Sequence, residues 1–226
     1  MSHMMVDVIR FAIGMSVLIY ASYTDFKLRI ARDELWLILA VAGLLLMPFS
    51  DYSLLKVVFS FVIIIPISFT LLLLGMGGAD AKALLSLSLL APLFPHMGSL
   101  PLWVAPVEFP FPLIVFINSL LIFLVIPIAF LAWNIRNGSM EFPFCFLGYK
   151  MRASDIGKKF VWPMEKIEDG KIKKTIMPQK NADIESFGDK IIWVTPKVPF
   201  LIPLTIGYFM SFTLGDILYK IISLFL

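Results

Sequence analysis

Long apolar runs almost free of charge constrain this chain more than anything else in it. Residues 54–74 hold a single charged side chain, Lys56, near their start. A helix needs roughly 20 residues at ~1.5 Å each to cross a hydrocarbon core of about 30 Å, and this run supplies them. Similar runs cover about residues 6–23, 35–47, 113–133 and 199–226, and another starts after Asp80 and Lys82 and fades at Pro95. The runs at 35–47 and between Lys82 and Pro95 are the shortest. Residues 98–112 are proline-rich and read as a loop of partly interfacial character. Apolar residues make up 59% of the chain, above the near-half of a water-soluble domain, and 21 Phe suit lipid-facing helices. The expectation is an all-α membrane protein with six transmembrane helices.

Between Asn134 and Lys197 the composition changes. Charges become frequent, and Gly138, Gly148, Gly157, Gly170 and Gly188 punctuate the segment. Residues 171–176 and 191–195 have β-type composition. The expected organisation is residues 1–134 for helices one to five, 135–197 for a small, mostly β, soluble insert, and 198–226 for helix six. Met1-Ser2-His3-Met4 reads as an expression remnant ahead of a start at Met5. No cleavable secretory signal is evident, since the run after Arg10 lacks a small-residue cleavage site.

Lysine and arginine placement sets the expected orientation. With the N-terminus outside, residues 24–34, 75–82 and 134–197 fall inside and hold sixteen of the 19 basic residues. Only Arg10, Lys56 and Lys220 fall outside. Both termini are therefore expected outside and the insert in the cytoplasm.

A net charge of +3 gives no reason to invoke nucleic acid. One cysteine, Cys145, cannot form an internal disulfide or a cysteine-rich zinc site. Cys145 lies among Phe142, Phe144 and Phe146, a small hydrophobe in context, and His96 is assigned to the opposite side, which disfavours a Cys–His protease. An H-E-x-x-H metalloprotease motif is absent.

Ionisable groups at a membrane are costly and are functional candidates by default. Asp7, Asp51 and Glu108 sit at the outer side. Asp216 reads as an outer-leaflet ion pair with Lys220 at i+4. Asp25, Asp33 and Asp80 remain at the cytoplasmic side. Asp33 precedes Glu34, Leu35 and Trp36 and is placed to cap the second helix. Asp25 follows the first span directly. Asp80 follows Gly75-Met76-Gly77-Gly78-Ala79, whose small residues remove bulk beside the carboxylate and let another backbone approach. Lys82 reads as an interface anchor that biases the local charge.

Gly77-Gly78-Ala79-Asp80, followed by Ala81-Lys82, resembles the G-x-G-D signature of intramembrane aspartic proteases. Residues 23–29, Tyr-Thr-Asp-Phe-Lys-Leu-Arg, resemble the first-aspartate region of archaeal preflagellin and prepilin peptidases, and residues 192–199 and the six-span plan are similar to that family too. Ala79 stands where the strict motif has its second glycine, a position at which archaeal members accept a small aliphatic residue. The resemblance implies Asp25 and Asp80 as catalytic residues, supported by Gly77, Gly78, Ala79 and Lys82. It implies preflagellin and prepilin precursors as substrates, each with a short basic leader ahead of a hydrophobic helix at the cytoplasmic face. It implies no methyltransferase activity, and no cofactor or metal is expected.

Two carboxylates that share a site titrate as a pair. One acts as general base on a water while the other donates a proton to the scissile carbonyl, without a covalent intermediate. The rival reading is a proton- or cation-coupled transporter using the same acids. No inverted repeat supports it, and both acids lie at one face rather than mid-membrane. A non-catalytic assembly protein of a secretion system is the third class.

Overall fold

The computed structural model describes residues 3–50, 52–73, 77–168, 171–180 and 182–225. Met1, Ser2, Asp51, Gly75, Met76 and Gly170, singled out above, lie outside the described residues. In chain order the elements are α1 (His3–Leu28), α2 (Asp33–Leu46), α3 (Leu54–Leu73), α4 (Gly78–Leu90), α5 (Phe111–Phe123), α6 (Val125–Arg136), α7 (Phe144–Leu147), β1 (Tyr149–Arg152), β2 (Val161–Pro163), β3 (Glu165–Glu168), β4 (Lys171–Lys174), β5 (Ile191–Pro196), α8 (Leu201–Thr213) and α9 (Ile217–Ile222). The chain divides into two compact units: Met1–Phe123 with Pro199–Leu226, and Leu124–Val198.

The first unit is helical. His3–Leu28, Leu54–Leu73 and Phe111–Arg136 are long and apolar enough to cross a membrane. The last of these begins in the first unit and ends in the second. Helices α2, α4 and α8 have 14, 13 and 13 residues, short of a span by themselves. The surface of the long helices is apolar: on α3, Leu54 and Leu73 are 74% and 72% exposed. Such surface is stable against lipid rather than water. Inward, Leu18, Leu39, Ile64, Leu84, Leu87, Phe111, Leu204, Tyr208 and Phe212 form one buried cluster. Rings from α5 and α8 close it, with Phe111 and Phe212 centroids 4.7 Å apart and edge-on.

Small residues set the closest helix approaches, as membrane packing favours. A Cβ on Gly207 of α8 would lie 2.2 Å from Ser119 Oγ and 2.9 Å from the Val115 carbonyl oxygen of α5. On α2, one on Gly43 would meet the Leu89 backbone of α4 at 2.4 Å.

The expected sixth span is not one continuous helix. α8 ends at Thr213, and Gly215 has φ +89°, a conformation that glycine takes without steric cost. The proline-rich loop docks there. Leu102 and Trp103 amides donate to the Thr213 and Leu214 carbonyls at 3.1 and 2.8 Å, and the Asp216 amide donates to the Trp103 carbonyl at 2.8 Å. These bonds satisfy carbonyls that a helix end otherwise leaves open. Asp216 does not act as the expected outer ion pair. Its buried carboxylate caps α9, accepting from the Tyr219 amide at 2.9 Å, while the Lys220 ammonium sits 6.0 Å from the Trp103 ring centroid.

The second unit carries a three-stranded antiparallel sheet, order β1-β5-β2, and a β3–β4 hairpin. β5 is central, and consecutive Ile192, Trp193 and Val194 are all buried, so both of its faces are covered. Ile192 and Val194 pack with Ala153, Ile156, Val161 and Phe187, whereas Trp193 packs the other way with Phe144, Cys145 and Met164. Glu141 accepts hydrogen bonds from Lys174 and from Trp193 Nε1, and these hold its carboxyl below the usual glutamate range. Asn134 near the end of α6 donates to the Cys145 and Gly148 carbonyls at 3.0 and 2.7 Å, tying that helix to the turn before β1.

Two outcomes test this packing. Gly207→Leu forces bulk into a backbone contact and is expected to destabilise the detergent-solubilised protein by about 1–3 kcal/mol or more. Gly78→Ala, where a Cβ meets only Leu72 Cδ2 at 3.8 Å, is expected to leave the thermal transition in place. Hydrogen bonds from Lys166 and then Lys173 push the Glu168 carboxyl from 4.5 down to about 2. A carboxylate depressed on folding stabilises above its unfolded value and loses that contribution as pH falls through the folded one. Amide protection factors in β3–β4, corrected for intrinsic exchange at each pH, are therefore expected to fall between pH 4.5 and about 2; unchanged protection there contradicts the assignment.

Candidate active site

Two helix ends of the first unit bring the candidate acids together. Asp25 does not follow the first helix, as the hydropathy pattern suggested, but sits within its last two turns. The backbone leaves the helix at Arg29, which has φ +56° and donates its amide to the Asp25 carbonyl at 3.0 Å. A left-handed residue is a common way to stop a helix, though a side chain other than glycine takes it at some cost. This end of α1 is fixed by polar side chains. Ser22 Oγ donates to the Leu201 carbonyl at 2.8 Å and lies 2.7 Å from Thr205 Oγ1, which itself donates to the Leu18 carbonyl at 3.1 Å.

Asp80 occupies the first turn of α4, where the free amides of a helix start favour negative charge. Gly77 is the N-cap residue, with its carbonyl accepting from the Asp80 amide at 3.1 Å. A Cβ on Gly77 would lie 3.5 Å from Asp80 Oδ2, an ordinary contact, so anything longer than alanine crowds the carboxylate. Gly78 opens the helix and is exposed, and Ala79 packs partly buried against the core cluster. Neither Gly77 nor Gly78 has positive φ. The glycines thus provide room rather than an unusual backbone. From α3, buried Ser68 lies 3.4 Å from the Ala81 carbonyl oxygen, beside the same turn.

Asp80 is buried, Asp25 is half-buried, and the Asp25 charge acts on Asp80. Arg29 also acts electrostatically on Asp25. Lys82 points elsewhere: its ammonium donates to Asp33 Oδ1 at 2.7 Å, joining α4 to the start of α2. Asp33 is therefore an ion-pair partner and not the cap of α2. The N-cap position is held by Arg32, without a side-chain capping bond.

Two features escaped the sequence reading. One is Arg29, whose i+4 spacing from Asp25 was the available signal. The other is a buried cluster at the far end of α1. Arg10 donates to Asp7 at 2.8 Å, to Tyr52 at 3.0 Å and to Ser50 at 2.5 Å, and the His96 amide donates to Asp7 at 2.8 Å. Tyr208 of α8 donates to the Arg10 carbonyl at 2.8 Å. A buried pair is costly unless its remaining hydrogen-bonding groups are occupied, and here most of them are.

A pair of acids at facing helix ends, one of them after a glycine pair, can be compared with known proteins. The model of the type IV leader peptidase family matches residues 12–128, and the model of the archaeal peptidase A24 C-terminus, type II, matches residues 140–217. The chain belongs to the type IV leader peptidase family. Among relatives, the preflagellin peptidase of Methanococcus voltae is 31% identical, with 96% of this chain and 99% of that protein aligned. That of Methanococcus maripaludis strain C6 is 34% identical over 92% and 96%, and that of Methanocaldococcus jannaschii 30% identical over 96% and 97%. Both acids and the glycine pair fall inside the segment that matches the leader peptidase family.

Two measurements probe the geometry. Lys82 and Asp33 are 51% and 73% exposed, so a double-mutant cycle with Lys82→Met and Asp33→Asn should give a coupling below about 1 kcal/mol in thermal unfolding. Gly77→Leu is expected to lower peptidase activity by at least about tenfold while the thermal transition stays within a few degrees, because the added bulk meets Asp80 and no core residue; about 1.4 kcal/mol of lost transition-state stabilisation corresponds to that factor.

Proposed function

We propose that this chain is a membrane aspartic endopeptidase that removes the short basic leader from preflagellins and type IV prepilin-like precursors. The observation that carries the proposal is the electrostatic pairing of Asp25 and Asp80 at the ends of α1 and α4. Family membership supports a peptidase, and the relatives' name, preflagellin peptidase, supports the substrate class.

In the proposed reaction Asp25 and Asp80 hold one water and the scissile carbonyl between them. One carboxylate takes a proton from the water as its oxygen attacks the carbonyl carbon. The other, protonated, gives its proton to the carbonyl oxygen. The tetrahedral diol then collapses: the carboxyl protonated by the water gives its proton to the leaving nitrogen as the C–N bond breaks, and the other carboxylate takes a proton from a diol hydroxyl as the product carboxyl forms. Both carboxyl groups end ready for the next cycle, and no covalent enzyme intermediate forms. Gly77 and Gly78 leave space beside Asp80 for an extended peptide, Ala79 keeps the turn small, and Lys82 steadies the start of α4 through Asp33.

The proposed topology has six crossings, made by α1, α2, α3, α4, the α5–α6 segment and the α8–α9 segment. Residues 1–134 carry the site, 135–197 form a cytoplasmic insert and 198–226 the last crossing. The Lys and Arg distribution supports termini outside and acids at the cytoplasmic face. Water is available there, and so is a leader that precedes a membrane helix. A proton- or cation-coupled transporter built on the same carboxylates gains no support from the family.

Purified protein mixed with a preflagellin precursor tests the proposal. Wild type should shorten the precursor by its leader, and Asp25→Asn and Asp80→Asn should each slow cleavage by about 10²–10⁴-fold or more, with folding retained. Unchanged cleavage in either variant rules out the pair.

A further inference from the structure

The second unit holds a basic groove that the proteolytic site does not use. It is a cavity of about 350 Å³ beside β2, and its lining includes Lys158, Lys159, Lys180 and Lys197 and no Asp or Glu. Asp155 at the rim bonds Lys158 at 2.9 Å. Lys197 and Lys180 both stand over the Trp162 ring, 4.8 and 5.7 Å from its centroid. Both ammonium groups gain from the ring's electron-rich face, and their like charges favour an anion nearby. The frame is built rather than incidental. The Lys197 amide donates to the Phe160 carbonyl at 2.9 Å, the Gln179 amide donates to the Pro163 carbonyl at 2.8 Å, and Trp162 pairs with Thr195 across β2 and β5.

The surroundings decide which anion fits. The neighbouring cavity, which shares Gly157 and Ile184 with the groove, carries Glu185 and Asp189. That negative flank repels an extended polyanion and leaves room for a compact one. The unit also contains the end of a segment long and apolar enough to cross a membrane. Its α6 is the end of the apolar segment Phe111–Arg136, with Trp133 59% exposed, a residue typical of the membrane–water boundary. β1 packs on α6, with Phe130 and Tyr149 rings 6.4 Å apart. β2 lies two strand spacings from β1, roughly 10 Å. The lysines therefore belong to the same compact unit as the end of this apolar segment, and lysines at a membrane surface attract lipid phosphates.

We propose that the groove of Trp162, Lys159, Lys180 and Lys197 binds the phosphate headgroup of an anionic membrane lipid and so docks the small domain on the bilayer. The proposal rests on the membrane reading of the chain and not on its proteolytic chemistry.

The full chain in nanodiscs of phosphatidylcholine, with and without phosphatidylglycerol, provides the test. Hydrogen exchange over residues 158–163 reads occupancy, and native mass spectrometry counts retained phosphatidylglycerol. Phosphatidylglycerol should slow exchange in that segment where phosphatidylcholine does not. Lys180→Gln with Lys197→Gln should weaken its binding about thirtyfold. The charge-matched pair Lys171→Gln with Lys190→Gln should leave binding intact, and Lys180→Arg with Lys197→Arg should retain it. Equal loss in the charge-matched pair, or no effect of phosphatidylglycerol, overturns the proposal. Protection by inorganic phosphate equal to that by the lipid, or stronger protection by poly-glutamate, also overturns it, in favour of a soluble anion or an acidic polypeptide. No readout involves cleavage, so an inactive protein that still binds phosphatidylglycerol separates this outcome from failure of the protease reading.

Discussion

The first unit depends on the fixing of α1 at both ends. At one end the buried Asp7–Arg10 pair meets Ser50, Tyr52, the His96 amide and Tyr208; at the other, Ser22 and Thr205 join it to α8. Its 26 residues span about 39 Å, more than a hydrocarbon core alone requires. The surplus places charged groups at both extremes, where hydration or partners are at hand. One extreme is satisfied internally and holds position. The other offers Asp25 half-open to its surroundings.

The opposing acid reaches its place by a different route. Asp80 lies at a helix start, where backbone amides supply positive potential without a cationic side chain next to it. The one lysine on that turn, Lys82, is held by Asp33. Gly77 and Gly78 add no side-chain bulk beside the Asp80 carboxylate.

Much of this was legible in the chain itself. α3 begins with its apolar run, in which Lys56 is the single charge. The β-type segment at 191–195 became β5, whose branched and aromatic residues pack on both faces of the strand, whereas the one at 171–176 forms a strand only over Lys171–Lys174, by pairing with β3. The glycine pair before Asp80 was visible as composition, and its meaning as space emerged only from the helix turn. Other features depended on partners distant in sequence. Arg10 is explained by Ser50 and Tyr52, some forty residues away, and Asp33 by Lys82. Asp25 was placed after its helix because apolarity fades before the backbone hydrogen bonding does. The last run read as one span because hydropathy records solubility and is blind to the turn at Gly215.

That turn has a consequence for how the chain ends. A corner in a lipid-facing rod normally bares amides that the bilayer cannot hydrate. Here the backbone of residues 102 and 103 lies alongside as a short splint, giving and receiving the bonds that the helix gives up. The closing segment is thereby free to change heading without a solvation penalty. A tail that hydropathy draws as a straight rod is instead a hinged bracket, its elbow clasped by a loop from the middle of the chain.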